Sequence, residues 1–204
     1  MNFKKLIVAA SIVLAGCASS SHKPVAVNSP PPPPAAPVAS ALPAPPPAPV
    51  APPAAPVDPL LVSGDTWSFR VPDENWEVAS KDDLPGEDCV ALSQNMTLKA
   101  RLMLMSDAFP SDTATFNTFV LKGVTSDGGK LIKSAKVTIN GTEWAWADTS
   151  MALRKGLIVR VQIWNTVHDG NGFTLMCGGP TTSATANPAV VAACKQIAGT
   201  LQLK

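Results

Sequence analysis

A proline-rich segment near the N-terminus constrains more than any other feature what this chain can fold into. Sixteen of the 21 prolines lie between Pro24 and Pro59. Proline fixes the backbone φ angle and lacks an N–H donor, so neither a helix nor a sheet ladder can form across such a stretch. A packed domain is therefore confined to residues 60–204, an ordinary length for one domain with its own hydrophobic core.

The segment 17–59 is interpreted as a disordered linker made mostly of proline, alanine, serine and valine. Polyproline II is the conformation left to it, with a rise of about 3.1 Å per residue. Residues 24–59 would then reach roughly 110 Å when extended. We favour a spacer that holds the domain away from a membrane; a ligand for an aromatic groove of the Pro-x-x-Pro type is the alternative.

Residues 1–16 have the pattern of a secretory signal peptide. Lys4 and Lys5 precede an apolar run over residues 6–14. That run is too short to span a bilayer, which takes about 20 residues. It leads into four residues that resemble the lipobox of bacterial lipoproteins, Leu14-Ala15-Gly16-Cys17.

The lipobox resemblance implies a lipid anchor on Cys17. It implies cleavage before Cys17, a thioether-linked diacylglycerol on its sulfur and an acyl chain such as palmitate on the new amino terminus. Several acyl chains are enough for stable attachment to a membrane. Ala18 follows the cysteine in place of the aspartate that retains lipoproteins in the inner membrane, so the resemblance favours the periplasmic face of the outer membrane.

The charge balance excludes one class of partner. Lysine and arginine number 16 against 15 aspartates and glutamates, a formal charge of +1. Nucleic-acid binding needs a clustered basic excess, so no nucleic-acid partner is expected. No polybasic second membrane anchor is present either.

The domain reads as a mixture of strands and two helices. Alternating apolar and polar residues predict strands at 67–71, 90–93, 98–105, 130–139, 142–149, 157–167 and 173–177. One helix follows Asp112 and ends at Gly128, with apolar residues at helical spacing: Phe116, Phe119, Val120 and Val124. The second begins at Asn187-Pro188 and runs to about Ala198.

The pair Asn140-Gly141 predicts a two-residue hairpin and with it a register. Four opposed pairs follow: Ile139 with Thr142, Val137 with Trp144, Ala135 with Trp146 and Lys133 with Asp148. Opposed residues share a face of the sheet. Trp144 and Trp146 are therefore interpreted as core residues beneath a helix, with a sugar-stacking platform as the alternative.

Order and motifs together resemble the PsbP-like domains of bacterial lipoproteins and photosystem accessory proteins. The resemblance covers residues 62–204 and is carried by three stretches: residues 67–72 with Trp76, residues 137–141, and Phe173 to the closing helix at 194–197. It implies an α+β fold in which an antiparallel sheet is sandwiched by two helices. It brings no catalytic residues.

Candidates for catalysis are few. His168 is the one histidine after residue 59, and a strand-end position before the turn that starts at Asp169 suggests a solvated side chain. A Ser-His-Asp site needs a serine and a carboxylate beside the histidine, and no Gly-x-Ser-x-Gly turn is present. The cysteines lack zinc-ligand spacing, and residues 169–172 lack the last ligands of a calcium loop. No enzyme activity, metal or cofactor is expected.

A candidate binding patch is centred on Trp164. Trp164 lies on the more polar face of its strand, together with Arg160 and Ile158. Two interpretations remain open: Trp164 lies beneath the second helix, or the three residues form an exposed patch for a partner.

Three cysteines remain in the exported domain, an odd number for an oxidising compartment. Cys194 lies on the helix face of Val190 and Ile197, and Cys177 shares strand parity with Phe173 and Leu175, so both face the core. Cys89 has the opposite parity to Val90 and Leu92. We predict a Cys177–Cys194 disulfide with Cys89 a buried free thiol; three reduced cysteines are the alternative.

The sequence thus favours a non-enzymatic envelope lipoprotein whose domain binds or assembles with a periplasmic partner, either an envelope protein or peptidoglycan. A structural spacer between membrane and cell wall is the second interpretation. A periplasmic hydrolase is the third and least favoured.

Overall fold

A computed structural model describes residues 58–154, 157–181 and 186–204. The predictions for the signal peptide, Cys17 and the linker lie outside these residues, apart from Asp58 and Pro59. Two helices are described, α1 (Thr113–Ser126) and α2 (Pro188–Thr200), and a 3-10 turn covers Lys81–Asp83. The strands are β1 (Leu61–Ser63), β2 (Trp67–Arg70), β3 (Trp76–Val78), β4 (Cys89–Asn95), β5 (Ala100–Ala108), β6 (Lys130–Ile139), β7 (Thr142–Arg154), β8 (Leu157–His168), β9 (Asn171–Thr181) and β10 (Gln202–Leu203).

Seven strands form one antiparallel sheet in the order β3-β4-β5-β9-β8-β7-β6, and a small sheet has the order β1-β2-β10. Ile163 packs in the cluster that contains the buried residues of α1, whereas its neighbour Trp164 packs in the cluster that contains those of α2. Consecutive residues of a strand face opposite sides, so the helices cover opposite faces of the large sheet. The predicted fold class, an antiparallel sheet sandwiched by two helices, is confirmed.

The larger core lies on the α2 face. The small sheet closes this face, because Trp67 and Phe69 of β2 pack in the same cluster as the apolar side of α2. The side chains of Phe69, Trp144, Leu175 and Ile197 are each at most 1% exposed. The small sheet therefore covers one side of the core and does not form a separate domain.

Two smaller clusters lie on the α1 face. Phe116, Val120 and Val124 of α1 pack on Ala147 and Ile163. Beside them a methionine-rich cluster is formed by Cys89, Leu92, Met103 and Met105, with Met176 packed against both clusters. Methionine fills irregular gaps of this kind because its unbranched side chain adapts to its neighbours.

The hairpin register is confirmed at every predicted pair. Ile139 lies opposite Thr142, Val137 opposite Trp144, Ala135 opposite Trp146 and Lys133 opposite Asp148. Asn140 and Gly141 both have positive φ angles, 47° and 83°. A type I′ turn requires positive φ at both central residues, which asparagine and glycine adopt at little cost.

The predicted helix starts are also confirmed. The Asp112 carboxylate accepts a hydrogen bond from the Thr115 backbone N–H at 2.8 Å, and the Asn187 side chain accepts one from the Ala189 N–H at 3.0 Å. These caps satisfy backbone donors that have no partner within the helix. The second helix ends at Thr200, slightly later than predicted. Phe119 is 40% exposed and lies outside the apolar stripe of its helix.

Cys89 does not face the side of β4 that strand alternation predicts. The register between β4 and β5 shifts between Cys89 and Ala91, so Val90 is an extra residue in the ladder. Such a bulge changes the parity of the residues before it. Cys89 consequently packs in the same cluster as Leu92, the residue from which alternation had separated it.

Candidate functional site

A narrow polar cleft lies on the α2 face at the N-terminal end of α2. Three polar side chains of β7 and β8 form its base: Asp148, Arg160 and Gln162. The first turn of α2 and the disulfide cysteines complete the wall. Cys177 of β9 and Cys194 of α2 are bonded to each other, with Cα atoms 5.5 Å apart, and are the two cysteines that sequence parity selected.

The charges in this cleft neutralise each other. Arg160 donates from Nε to Oδ1 of Asp148 at 3.2 Å and from Nη2 to Oδ2 at 2.5 Å. The side chains are 13% and 20% exposed, so solvent screens the pair less than it would screen a pair on the open surface. A bidentate arginine–carboxylate pair holds both groups in a fixed plane. The two side chains are therefore held in place at the end of the cleft, and their charges cancel.

Gln162 supplies an unpaired acceptor. Its side chain is 6% exposed, and its Oε1 is buried without a hydrogen-bond partner among the described residues. Gly178 lies where β9 approaches β8 closely, since a Cβ there would stand 2.1 Å from the Arg160 carbonyl oxygen. The enclosed space is of the size of one water molecule, which suits a polar site of this kind. The unpaired oxygen of Gln162 would be satisfied by such a water molecule.

Of the two interpretations of Trp164, Ile158 and Arg160, the structure matches the first: Trp164 lies beneath α2, and the three residues do not form an exposed patch. Trp164 is 4% exposed and belongs to the core beneath α2. Arg160 is held by Asp148, and Ile158 is half-buried. The polar neighbours of Trp164, Arg160 and Gln162, line a cleft beneath α2, which is why this strand face is not an exposed patch.

The paired tryptophans of β7 also pack inward. Trp144 is 1% exposed, and Trp146 is half-buried against the same core. A stacking platform presents the flat face of a ring to its ligand, whereas these rings contact the protein interior. Their interpretation as core residues matches the structure.

His168 lies at the end of β8 with one third of its side chain exposed. Its Nε2 is 3.6 Å from the carboxylate of Asp169, a residue that is itself largely exposed. Within the described ranges, no three histidine, cysteine or acidic side chains are grouped closely enough to hold a metal ion.

Cys89 is a buried free thiol. Burial raises its pKa to about 11. The thiol donates a hydrogen bond to the Ala91 carbonyl oxygen at 3.5 Å. The thiolate is the nucleophile in cysteine chemistry, so a raised pKa makes the group inert near neutral pH.

We expect iodoacetamide to modify Cys89 of the folded chain at pH 8 on the order of a hundredfold more slowly than in guanidinium chloride. An unperturbed thiol has a pKa of about 8.5, so the folded chain holds far less thiolate at that pH. The rate should rise between pH 9 and 11 as the thiol ionises. Peptide mapping after timed alkylation measures it; equal rates in the folded and denatured chain at pH 8 would contradict the assignment.

Neither helix in the described part of the chain is both long and apolar enough to cross a bilayer.

Comparisons with known proteins give structural likenesses. No protein-family model matches the sequence, and no curated protein matches it. A crystal structure from Bacteroides thetaiotaomicron VPI-5482 aligns at 13% identity with a TM-score of 0.45; it covers 68% of this chain, which spans 45% of that protein.

The solution structure of cyanobacterial PsbP from Synechocystis sp. PCC 6803 is also similar, at 11% identity and a TM-score of 0.48, over 68% of this chain and 87% of that one. The crystal structure of LpqN, described as involved in cell envelope biogenesis of Mycobacterium tuberculosis, aligns at 12% identity and a TM-score of 0.44, over 71% and 89%.

The cleft was not predicted from the sequence. Asp148 lies on β7, whereas Arg160 and Gln162 lie on β8. In the β7–β8 ladder Asp148 is opposite Gln162. Two residues, Lys155 and Gly156, separate those strands in the sequence. A regular hairpin predicted there would have placed Asp148 opposite Ile163, because a register shift between Ala152 and Arg154 is what brings Asp148 opposite Gln162.

Proposed function

We propose that this chain is a lipid-anchored, non-enzymatic module of the bacterial cell envelope whose domain binds another envelope component. The observation that carries the proposal is the order of segments: a signal-like stretch, the lipobox residues ending in Cys17, a long proline-rich linker, then one domain. Lipid fixes one end of such a chain, and the linker sets how far the domain reaches. Ala18 after the cysteine favours the outer membrane, and we propose its periplasmic face as the location.

The chemistry of the described side chains supports a non-enzymatic module. Arg160 and Asp148 form an ion pair with each other, and the Cys89 thiol is protonated at neutral pH. The cleft beside this ion pair has room for about one water molecule between its described residues. A general base and a nucleophile need to lie within hydrogen-bond reach of each other, and His168 has only Asp169 as an ionic neighbour in the described part of the chain.

Affinity capture tests the binding role. The full chain is purified from solubilised envelopes through a C-terminal tag, and a chain ending at residue 59 is the control that carries the tether alone. We expect the full chain to enrich one envelope protein reproducibly and the tether to enrich none. Capture of peptidoglycan alone would favour the second interpretation, a structural spacer between membrane and cell wall, and would contradict a protein-binding module.

A further inference from the structure

The free edge of the large sheet is unusually open at β6. Among the described residues, this strand lies at one end of the strand order and pairs with β7 alone. Residues 130–136 are all exposed, including Leu131 at 45% and Ile132 at 53%. A long edge strand with exposed apolar side chains is a template for pairing with another chain.

The hairpin register identifies which backbone groups face the open edge. In a two-residue hairpin the residues that flank the turn, here Ile139 and Thr142, exchange both hydrogen bonds. Hydrogen-bonded and non-hydrogen-bonded pairs then alternate along the ladder as far as Lys133. Ser134, Lys136 and Thr138 therefore direct their N–H and C=O groups away from β7. The register shifts between Leu131 and Lys133, so the alternation is interrupted at Ile132.

The side chains along this edge are basic. Lys130, Lys133 and Lys136 are exposed at intervals of three residues, and Lys136 also contacts Glu143 across the hairpin at 3.0 Å. Lysine on an edge strand opposes pairing with a copy of itself, because a β6–β6 pair centred on Lys133 would bring lysine opposite lysine. The same charges attract an acidic strand.

The N-terminal segment of this chain does not offer that acidic strand. Residues 1–57 contain no aspartate or glutamate. Their prolines also remove the backbone donors that a ladder requires. The opposite edge of the sheet, β3, has three residues and would cover less than half of β6.

We propose that β6 is a docking strand to which an extended acidic segment of another protein adds as a further strand of the sheet. Main-chain hydrogen bonds to residues 134, 136 and 138 supply affinity, and the lysines select acidic side chains. Leu131 and Ile132 supply the apolar contact at the open end of the strand. The inference rests on the proposed binding function and specifies the chemical class of its partner.

Fluorescence anisotropy of labelled peptides tests this inference on the purified full chain. The first probe is an eight-residue peptide that alternates glutamate and valine, and the second has lysine in place of glutamate. The third is the glutamate peptide with N-methyl groups on alternate residues, which blocks one hydrogen-bonding edge. We expect the glutamate peptide to bind about tenfold more tightly than the lysine peptide, because the exposed lysines of β6 attract glutamate and repel lysine. The N-methylated peptide should not bind.

Two variants locate the site. Lys130→Glu with Lys133→Glu should reverse the preference between the peptides, whereas Lys122→Glu with Lys195→Glu, the same charge change on the two helices, should leave it unchanged. Ser134→Pro removes an outward N–H and should abolish binding, provided that its circular dichroism spectrum matches that of the natural chain.

An unchanged preference in the β6 double variant, an equal effect of the helix variant, or full binding of the N-methylated peptide would overturn the inference. Binding of phosphatidylglycerol vesicles through Lys130 and Lys133 without peptide binding would also overturn it, in favour of a membrane contact. If envelope capture succeeds and no peptide binds, the proposed binding function is retained and the β6 site is rejected.

Discussion

A Cys17→Ser chain is expected to leave the membrane fraction completely and to incorporate no fatty acid. The thioether to diacylglycerol forms on sulfur, and serine offers no thiol for it. One acyl chain alone gives marginal, reversible attachment, whereas several give stable anchoring. The loss should therefore be close to total. Metabolic labelling with a fatty acid and fractionation of the envelope measure it.

Cys89→Ser is the matched control for that experiment. It changes the same residue type within the domain, at a thiol that is buried and free. This variant should keep both the label and the membrane location. Fatty acid still attached to the Cys17→Ser chain, or membrane retention after washing at high salt, would show that the anchor lies elsewhere.

Local sequence signals predicted the parts of this fold that depend on neighbouring residues. The Asn140-Gly141 pair determines a turn type, and the turn type determines every pair down to Lys133 and Asp148. Asp112 and Asn187 mark helix starts because their side chains accept hydrogen bonds from backbone N–H groups two or three residues later. Such interactions require no knowledge of the rest of the molecule.

Features that depend on distant packing were missed or misjudged. The strands of two or three residues, β1, β3 and β10, are too short to show a period of two. The small sheet and α2 nevertheless close the core over Trp164, which alternation had placed among polar residues. The bulge at Val90 likewise reversed the face of Cys89, since a bulge has no strong sequence signal.

The candidate site was likewise predicted only where local signals were sufficient. Cysteine parity on one strand and one helix was enough to select Cys177 and Cys194 as partners. The cleft beside them joins Asp148, Arg160 and Gln162 across two strands, and each of these residues alone reads as an ordinary solvated position. The burial of Gln162 is a property of the assembled layers.

Removal of the Cys177–Cys194 bond is expected to lower the melting temperature of the domain by about 10 °C. The bond joins residues that are 17 apart and restricts the unfolded chain, a contribution of about 3 kcal/mol in the chain-entropy model. A domain of this size shifts by roughly 3–4 °C per kcal/mol. The variant is Cys177→Ala with Cys194→Ala, because serine would bury two hydroxyl groups without partners.

Reductant separates the cross-link from the packing of its sulfur atoms. Cys177 and Cys194 are at most 1% exposed, so alanine at both positions also removes buried volume from the core beneath α2. The natural chain measured after reduction in denaturant and refolding in dithiothreitol keeps both sulfurs and loses only the bond. It should therefore melt between the oxidised chain and the double variant, while dithiothreitol leaves the double variant unchanged. Alkylation of all three domain cysteines in the unreduced, denatured chain would contradict the bond itself, and equal melting of all samples would contradict its contribution to stability.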